Sequence, residues 1–506
     1  MTLLRELFDP HAADVAPFFI FEIANNHQGS VDHGLRIIDE MARVCRTFKV
    51  RGGVKFQYRD LDTFIHPSAE STTNKHIARF KSTALQKAQY ELLMEAVREQ
   101  GLVAICTPFD EPSVQDCINH GVEILKVASC SANDWPLLEK IVAARKPIIC
   151  STGGLRLDEI DQVVTFFQHR DVRDLAILHC VGVYPTPSSM LQMNFLDKLR
   201  KRYHWMPIGY SGHESPDDLL PATVAIAKGS RILERHVGIA LPDAPLNAYS
   251  MNPDQTAAWV KGSLTAFEAC GNPRGEKHVT QAEIDSLNSL RRGVFARDDL
   301  SEGHKLEPGD VVFAFPGQPG QTTTSEWMDG LATSRAYRAG EPLRERRRAN
   351  PAATVRAMIR EAKGMLYEAR VELGDRFTVE MSHHYGREQF RSWGAFIISL
   401  VNREYCKKIL LMLPGQRHPK HRHHKKEETF QLLHGDLHVN LDGKICDLLP
   451  GQLFLVERDT FHSFETKGGA IFEEISTTHI VGDSEYEDPA IARLDPMDRK
   501  TVLSQW

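Results

Sequence analysis

At 506 residues the chain exceeds one ordinary domain and suits two or three. Its 42% hydrophobic and 25% charged residues exclude gross disorder, and a net charge of −6 gives no support to binding of nucleic acid or an anionic membrane. No apolar run is long enough to span a bilayer, Met1–Pro17 lacks the pattern of a signal peptide, and nine cysteines fall singly without a Cys-x-x-Cys; the expectation is a reduced, cytoplasmic enzyme.

Over the first 240 residues short β-rich runs alternate with amphipathic stretches. The runs are Phe18–Ala24, Gly53–Phe56, Leu102–Thr107, Glu123–Ala128, Pro147–Thr152, Leu175–Cys180, Met206–Ser211 and Arg231–His236. Between them, segments such as HGLRIIDEMARVC place apolar residues at helical spacing. Eight strands alternating with helices over about 250 residues predict an α/β domain, a (β/α)8 TIM barrel across residues 1–275, in preference to an open doubly wound sheet. Past Gly271 the sequence turns short, turn-rich and β-like, which predicts a small β-rich module over 283–348, with ERRRANP read as a solvated linker. From Ala353 a helical stretch leads into KKILLMLPG, ETFQLLHGDLHVNLDGK, GQLFLVERDTFHSFET and AIFEEISTT. Short strands with glycine turns predict a small barrel or jelly roll over 353–506.

In a (β/α)8 barrel the reactive groups stand at the C-terminal strand ends. Taken in order, those ends carry Glu22; Lys55 and Gln57; Thr107; Lys126 and Ser129; Ser151; His179 and Tyr184; Ser211 and His213; Glu234 and His236. Any one of them has an ordinary structural explanation, but polar residues at the same end of all eight strands need partners. Two lysines with several hydroxyls suit an anion bearing phosphate and carboxylate. Two histidines from adjacent strands suit a divalent ion acting as a Lewis acid.

The segments FEIANNHQG, GVKFQ, CTPFDEPSV, LKVAS, PIICSTGG, ILHCVGVYPTP, IGYSGHE and ILERH resemble the sialic acid synthase family, barrels that condense phosphoenolpyruvate with a sugar to give nonulosonic acids. GVFARDDLSEGHKLEPGDVV with YRAGEPL resembles the antifreeze-like (SAF) module that follows such barrels and leans over the neighbouring active site in a domain-swapped homodimer. The resemblance implies that Lys55, Thr107, Lys126, Ser129, Ser151 and Ser211 hold phosphoenolpyruvate, and that Gln57 and Tyr184 face the aldose. It implies that His213 and His236 bind Mn2+ or Mg2+, and that Glu22 and Glu234 orient or deprotonate a water. Departures fall where the acceptor should sit. Ala244-Pro245-Leu246-Asn247 replaces Gly-Pro-Asp-His, Gly182 replaces an Asn, and Phe315-Pro316-Gly317 replaces Arg-Pro-Gly. The expected acceptor is therefore not ordinary N-acetylmannosamine.

In the C-terminal region Gly415, His421, His423, Glu428 and Gly435 have the spacing G-x5-H-x-H-x4-E-x6-G, with His462 in a looser second half. On one strand His421 and His423 project together, and Glu428 is expected to return on the same ladder. The pattern resembles the cupin family and implies a divalent ion, Zn2+, Mn2+, Fe2+ or Ni2+, on His421, His423, Glu428 and His462. A solvated loop rich in His and Lys, with His418 and His424, is the bland alternative. Sugar isomerases, dioxygenases and non-catalytic sugar-binding modules share the motif. Two rival readings of the whole remain: a class I pyruvate aldolase acting through Lys126, and a non-catalytic sugar-binding scaffold.

Overall fold

Eight strands close on themselves in the first of two compact units, Met1–His278. They are β1 (Phe18–Glu22), β2 (Gly52–Tyr58), β3 (Val103–Pro108), β4 (Ile124–Val127), β5 (Ile148–Ser151), β6 (Leu175–Cys180), β7 (Ile208–Gly212) and β8 (Ile232–His236). All pair in parallel, and β8 returns to β1 with Glu22 opposite His236. The computed structural model describes residues 4, 16–70, 74–271, 277–346 and 351–506. The predicted TIM barrel is thus present, each predicted run overlapping one strand.

Period-two alternation sorts every strand into two faces. Phe18, Ile20, Ile105, Ile124, Ile149, Ala176, Leu178 and Ile232 fill the barrel interior. The residues between them, including Phe19, Phe21, Val54, Phe56, Leu125 and Ile177, join the core beneath the helices. Space inside is tight. A Cβ at Gly209 would lie 2.5 Å from both Ile232 O and Leu178 Cδ2, so only glycine permits that approach. Continuing the inward set toward the strand C-termini brings Glu22, Lys55, Thr107, Lys126, Ser151, Ser211 and Glu234 to one mouth. The odd-parity His179 instead faces outward, with Nε2 donating to Leu191 O at 2.7 Å and the Phe195 ring 5.6 Å away. It plays no part in the mouth.

His27 is buried just past β1, its Nδ1 accepting from Gly29 N at 3.1 Å. Burial first, then the charges of Arg79 and His33, push its pKa down to about 4. Between pH 6.5 and 4 the unfolded chain therefore binds this proton and the folded one does not. Stability from the neutral ring is whole above pH 6.5 and is lost as pH falls toward 4, about 3 kcal/mol if fully expressed. Denaturant midpoints measured from pH 7 down to pH 4 should fall less steeply in His27→Gln than in wild type.

The second unit, Val279–Trp506, opens with a helix, Gln281–Ser289. The expected module boundary at residue 283 falls inside that helix. An antiparallel pair follows, β9 (Gly293–Ala296) and β10 (Val311–Ala314), around a small core of Val294, Leu300, Leu306, Val311 and Leu343. Glu345 is not linker. It is buried and accepts from Ser334 N and Tyr337 Oη, each at 2.8 Å, so the module extends to it. Arg346 pairs with Glu326, and residues 347–350 of the expected linker lie outside the described residues.

The helix Pro351–Ala369 then leads into β11 (Thr378–Ser382), β12 (Ala395–Asn402), β13 (Tyr405–Met412), β14 (Arg417–His423), β15 (Glu428–Gly435) and β16 (Leu437–Leu441). The remaining strands are β17 (Lys444–Leu448), β18 (Leu453–Val456), β19 (His462–Glu465), β20 (Ala470–Thr477), β21 (Ser484–Tyr486) and β22 (Lys500–Leu503). They form a seven-stranded sheet, β18-β15-β20-β13-β12-β11-β22, and a five-stranded sheet, β17-β16-β19-β14-β21. Leu410, Phe430, Val439, Phe464 and Phe472 make one core from both sheets. Ile398, Leu411 and Ile471, on the other face of the larger sheet, pack with Met358, Ala362 and Leu366 of the helix. Alternation again decides: Leu410 and Leu411 are chain neighbours in different cores.

Candidate active site

At the barrel mouth two buried carboxylates alternate with two buried lysines. Lys55 Nζ lies 2.6 Å from Glu22 Oε2 and 2.9 Å from Glu234 Oε1. Lys126 Nζ donates to Ser151 Oγ at 2.6 Å and lies 3.8 Å from Glu234 Oε1, which also accepts from Ser211 Oγ at 2.9 Å. Glu22 Oε1 accepts from Ala24 N at 2.6 Å, so both of its oxygens are engaged. Glu234 Oε2 and Thr107 Oγ1 are buried with no hydrogen-bond partner among the described residues. Burial disfavours the charge on Lys55, but Glu22 and Glu234 more than offset it and hold the ammonium above its ordinary range. Lys126 goes the other way: burial, aided by Lys55, lowers its pKa against the pull of Glu234. The carboxyl of Glu234 resists burial and lies below the usual carboxylate range because Lys126 and Lys55 face it.

His213 and His236 meet beside this net with ring centroids 5.3 Å apart. The Nδ1–H of His213 donates to Val181 O at 3.0 Å, which leaves Nε2 as a lone pair. Burial pushes both rings down to about 3, so both are neutral at physiological pH. This donor set fits a divalent ion. Tyr184 is half exposed with its ring 4.1 Å from that of His213. Tyr249, which sequence reasoning missed, meets His236 and Tyr184 edge-on, with ring centroids 5.0 and 5.1 Å away. Its backbone N donates to Asn247 Oδ1, so the divergent 244–247 segment positions an aromatic wall. A Cβ at Gly182 would meet nothing within 4 Å, so the room for the missing Asn is open. Two expected residues stand outside the ionic net. Ser129 Oγ accepts from Gly153 N at 2.9 Å, and Gln57 Oε1 accepts from Arg59 Nη2 at 3.0 Å.

In the second unit His421, His423 and His462 bring ligand atoms within 4.8 Å of one another. His421 and His462 are register partners on β14 and β19 of the smaller sheet. Glu428 does not return on that ladder, as the sequence suggested. It lies on β15 of the larger sheet, paired with β18 and β20, because residues 424–427 carry the chain from one sheet to the other. It still reaches the cluster: Oε2 is 3.2 Å from His462 Nε2 and Oε1 is 3.6 Å from His423 Nε2. The Nδ1–H groups of His421 and His462 donate to the carbonyls of Pro419 and Thr460, turning the Nε2 lone pairs inward. Glu428 Oε2 and His462 Nε2, both buried and with no hydrogen-bond partner among the described residues, face one another at 3.2 Å as a shared cation requires. Burial pushes His421 well below its ordinary range and His423 down to about 4.

The solvated-loop alternative holds only for His424, exposed between Asp459 and Glu485, and the adjacent exposed Lys425. His418 is buried, its ring 4.8 Å from His421 and 4.6 Å from His384. The cavity beside the cluster, about 110 Å³, also receives Lys408, Lys426, Glu474 and Tyr486. Lys426 pairs with Glu428 and, at 3.1 Å, with Glu474, which Lys408 meets at 3.2 Å. Of these, only the bare presence of His and Lys was legible in sequence. Among the described residues no helix is long and apolar enough to cross a membrane.

Residues 51–275 match the NeuB family, and residues 408–476 match the cupin domain. A solved structure from Chromobacterium violaceum ATCC 12472, described as a spore coat polysaccharide biosynthesis protein E, is 43% identical with a TM-score of 0.61. The match covers 65% of this chain and 98% of that one. N,N'-diacetyllegionaminic acid synthase of Legionella pneumophila is 26% identical over 323 residues, 61% of this chain and 88% of its own. N-acetylneuraminate-9-phosphate synthase of Drosophila melanogaster is 25% identical over 371 residues, 67% of this chain and 97% of its own. The chain belongs to the NeuB family and carries a C-terminal cupin domain.

Proposed function

We propose that the barrel condenses phosphoenolpyruvate with an aldose to give a 3-deoxy-2-keto sugar acid and phosphate. The observation that carries this reading is the buried Lys55–Glu234–Lys126 cluster with Glu234 Oε2 and Thr107 Oγ1 unpartnered at the strand ends. Lys55, Lys126 and the hydroxyls of Thr107, Ser129, Ser151 and Ser211 hold the phosphate and carboxylate. Gln57 and Tyr184 face the sugar. His213 and His236 would hold a divalent ion, Mn2+ or Mg2+, which would supply Lewis-acid polarisation of the aldehyde. Carbon 3 of the enol forms the new bond to the aldehyde carbon, water adds at carbon 2, and phosphate leaves with C–O cleavage. Glu234 takes the water proton through its free Oε2, while Glu22, with both oxygens engaged, positions Lys55. The SAF-like module and a domain-swapped homodimer belong to this reading.

The test is phosphate release from phosphoenolpyruvate with Mn2+ across N-acetylmannosamine, its 6-phosphate, diacetamido-trideoxyhexoses, mannose, mannose 6-phosphate and the matching ketoses. Run in H2(18)O, the label should enter the sugar acid and stay out of the phosphate. Label in the phosphate, or no sugar-dependent release, sinks the reading. The lowered pKa of buried Lys126 is what an imine-forming aldolase would need. Borohydride reduction with pyruvate is nevertheless expected to leave Lys126 unmodified, and a reduced pyruvyl adduct there would decide for the aldolase.

For the cupin, the Lys426–Glu474–Lys408 array beside the histidine cluster favours a sugar isomerase over a purely structural module. It would interconvert a ketose with the aldose that the barrel consumes, using Zn2+, Mn2+, Fe2+ or Ni2+ on His421, His423, Glu428 and His462. Deuterium exchange at the aldose C2, with phosphoenolpyruvate omitted, should occur in wild type and vanish in Glu474→Gln. Exchange that persists undiminished counts against this role.

A further inference from the structure

Lys55, Gln57 and Arg59 share one parity on β2, and Arg59 lies just past the strand's last residue, Tyr58. Its guanidinium carbon sits 3.7 Å from the centre of the Phe109 ring, 4.1 Å from that of Phe80 and 5.8 Å from that of Phe64. Nη2 donates to Gln57 Oε1, and Nε is buried without a hydrogen-bond partner among the described residues. Burial lowers the pKa to about 10, which still leaves the group charged at neutral pH.

No carboxylate forms an ion pair with Arg59 among the described residues. Glu22 and Asp110 act on it only at a distance: Glu22 is engaged by Lys55 and Ala24 N, and the two Asp110 oxygens already accept from Ser113 N and Asp60 N, at 2.8 and 2.9 Å. The cavity on the Gln57 side is lined by Asp60, Asp62 and Asp116, none of them ion-paired with Arg59, and Asp116 is paired with Lys87 at 2.9 Å. On the other side a cavity of about 400 Å³ opens between Phe64, Phe80, Phe109 and Arg59. Among the described residues its wall contains His66, His76 and Asn74 but no carboxylate. Aromatic faces attract a cation, yet they supply no countercharge to a buried one. A guanidinium held this way presents its fork to a planar or tetrahedral anion.

We propose that Arg59 and its phenylalanine clamp form a subsite for an anionic substituent of the acceptor sugar, a phosphate or a carboxylate. This deepens the condensation reading and rests on it for the identity of the ligand as an acceptor. Gln57, tied to Arg59 and implied to face the sugar, couples the subsite to the reacting end.

The test is calorimetric titration of the full chain, with phosphoenolpyruvate saturating and no divalent ion added. N-acetylmannosamine and mannose are compared with their 6-phosphates and with mannuronate. Wild type should bind an anionic sugar at least about tenfold more tightly than its neutral parent, as a charge-assisted pair predicts. The phosphate and the uronate arms tell the two anions apart. Arg59→Met, which keeps the stem within the clamp, should bring the ratio to about one by weakening the anionic sugars far more than the neutral ones, and Arg59→Lys should keep part of it. Equal binding of neutral and anionic sugars by wild type would overturn the proposal. So would a parallel loss of both in Arg59→Met, since that marks a clamp that only holds the loop. An anion preference that depends on Arg59 without any release of phosphate from phosphoenolpyruvate would leave the subsite standing and remove the condensation.

Discussion

Glu234→Gln should lower kcat by about a thousandfold or more while phosphoenolpyruvate binding persists or tightens. The substitution keeps the side chain's shape and removes a charge that faces Lys55 at 2.9 Å and Lys126 at 3.8 Å. Two buried ammonium groups then lose their shared counter-ion, and an anionic substrate is the natural replacement. The base for water is lost at the same time, so KM and kcat should move apart. Glu22→Gln offers the contrast. Both Glu22 oxygens are committed to Lys55 and to Ala24 N, so its loss should act chiefly on the placement of Lys55 and raise KM. Steady-state kinetics of phosphate release on both variants separate the two roles. A Glu234→Gln enzyme within tenfold of wild-type kcat would exclude Glu234 as the base.

The second large effect is expected in the cupin. His421→Ala and His462→Ala should each remove one equivalent of tightly held metal per chain, read by elemental analysis of the full-length protein. They should also lower the melting temperature by about 5 °C or more, because metal bound only to the folded site stabilises it. Sugar-dependent phosphate release with a supplied aldose should be retained, since the barrel's own residues are untouched. His424→Ala, at an exposed position between Asp459 and Glu485, should change neither metal content nor stability. Unaltered metal content in both His421→Ala and His462→Ala would refute the site.

How much of this was legible follows from which interactions are local. Each barrel strand could be found because a buried parallel strand reads as a short apolar run between helical spacings. The inward set could be found because side-chain direction alternates with chain position: Phe18, Ile20 and Glu22 share one face whatever surrounds them. The same rule, applied strictly, already separates His179 from its neighbours. The spacing of His421 and His423 on one strand is local in the same sense. Their partner His462 follows only through pairing of β14 with β19, and Glu428 arrives from the opposite sheet. Burial of His418 and exposure of His424, six residues apart, depend on where the chain turns between sheets.

From the sequence alone came the strand order, the facing of each residue and the chemical types gathered at the barrel mouth. The tertiary structure alone decided the engagement of Glu22, the free oxygen of Glu234, the Lys426–Glu474–Lys408 array and the aromatic seating of the Arg59 guanidinium. Facing is set by covalent geometry within two residues. Charge pairing is set by atoms brought within about 4 Å from distant parts of the chain, and only packing determines which those are.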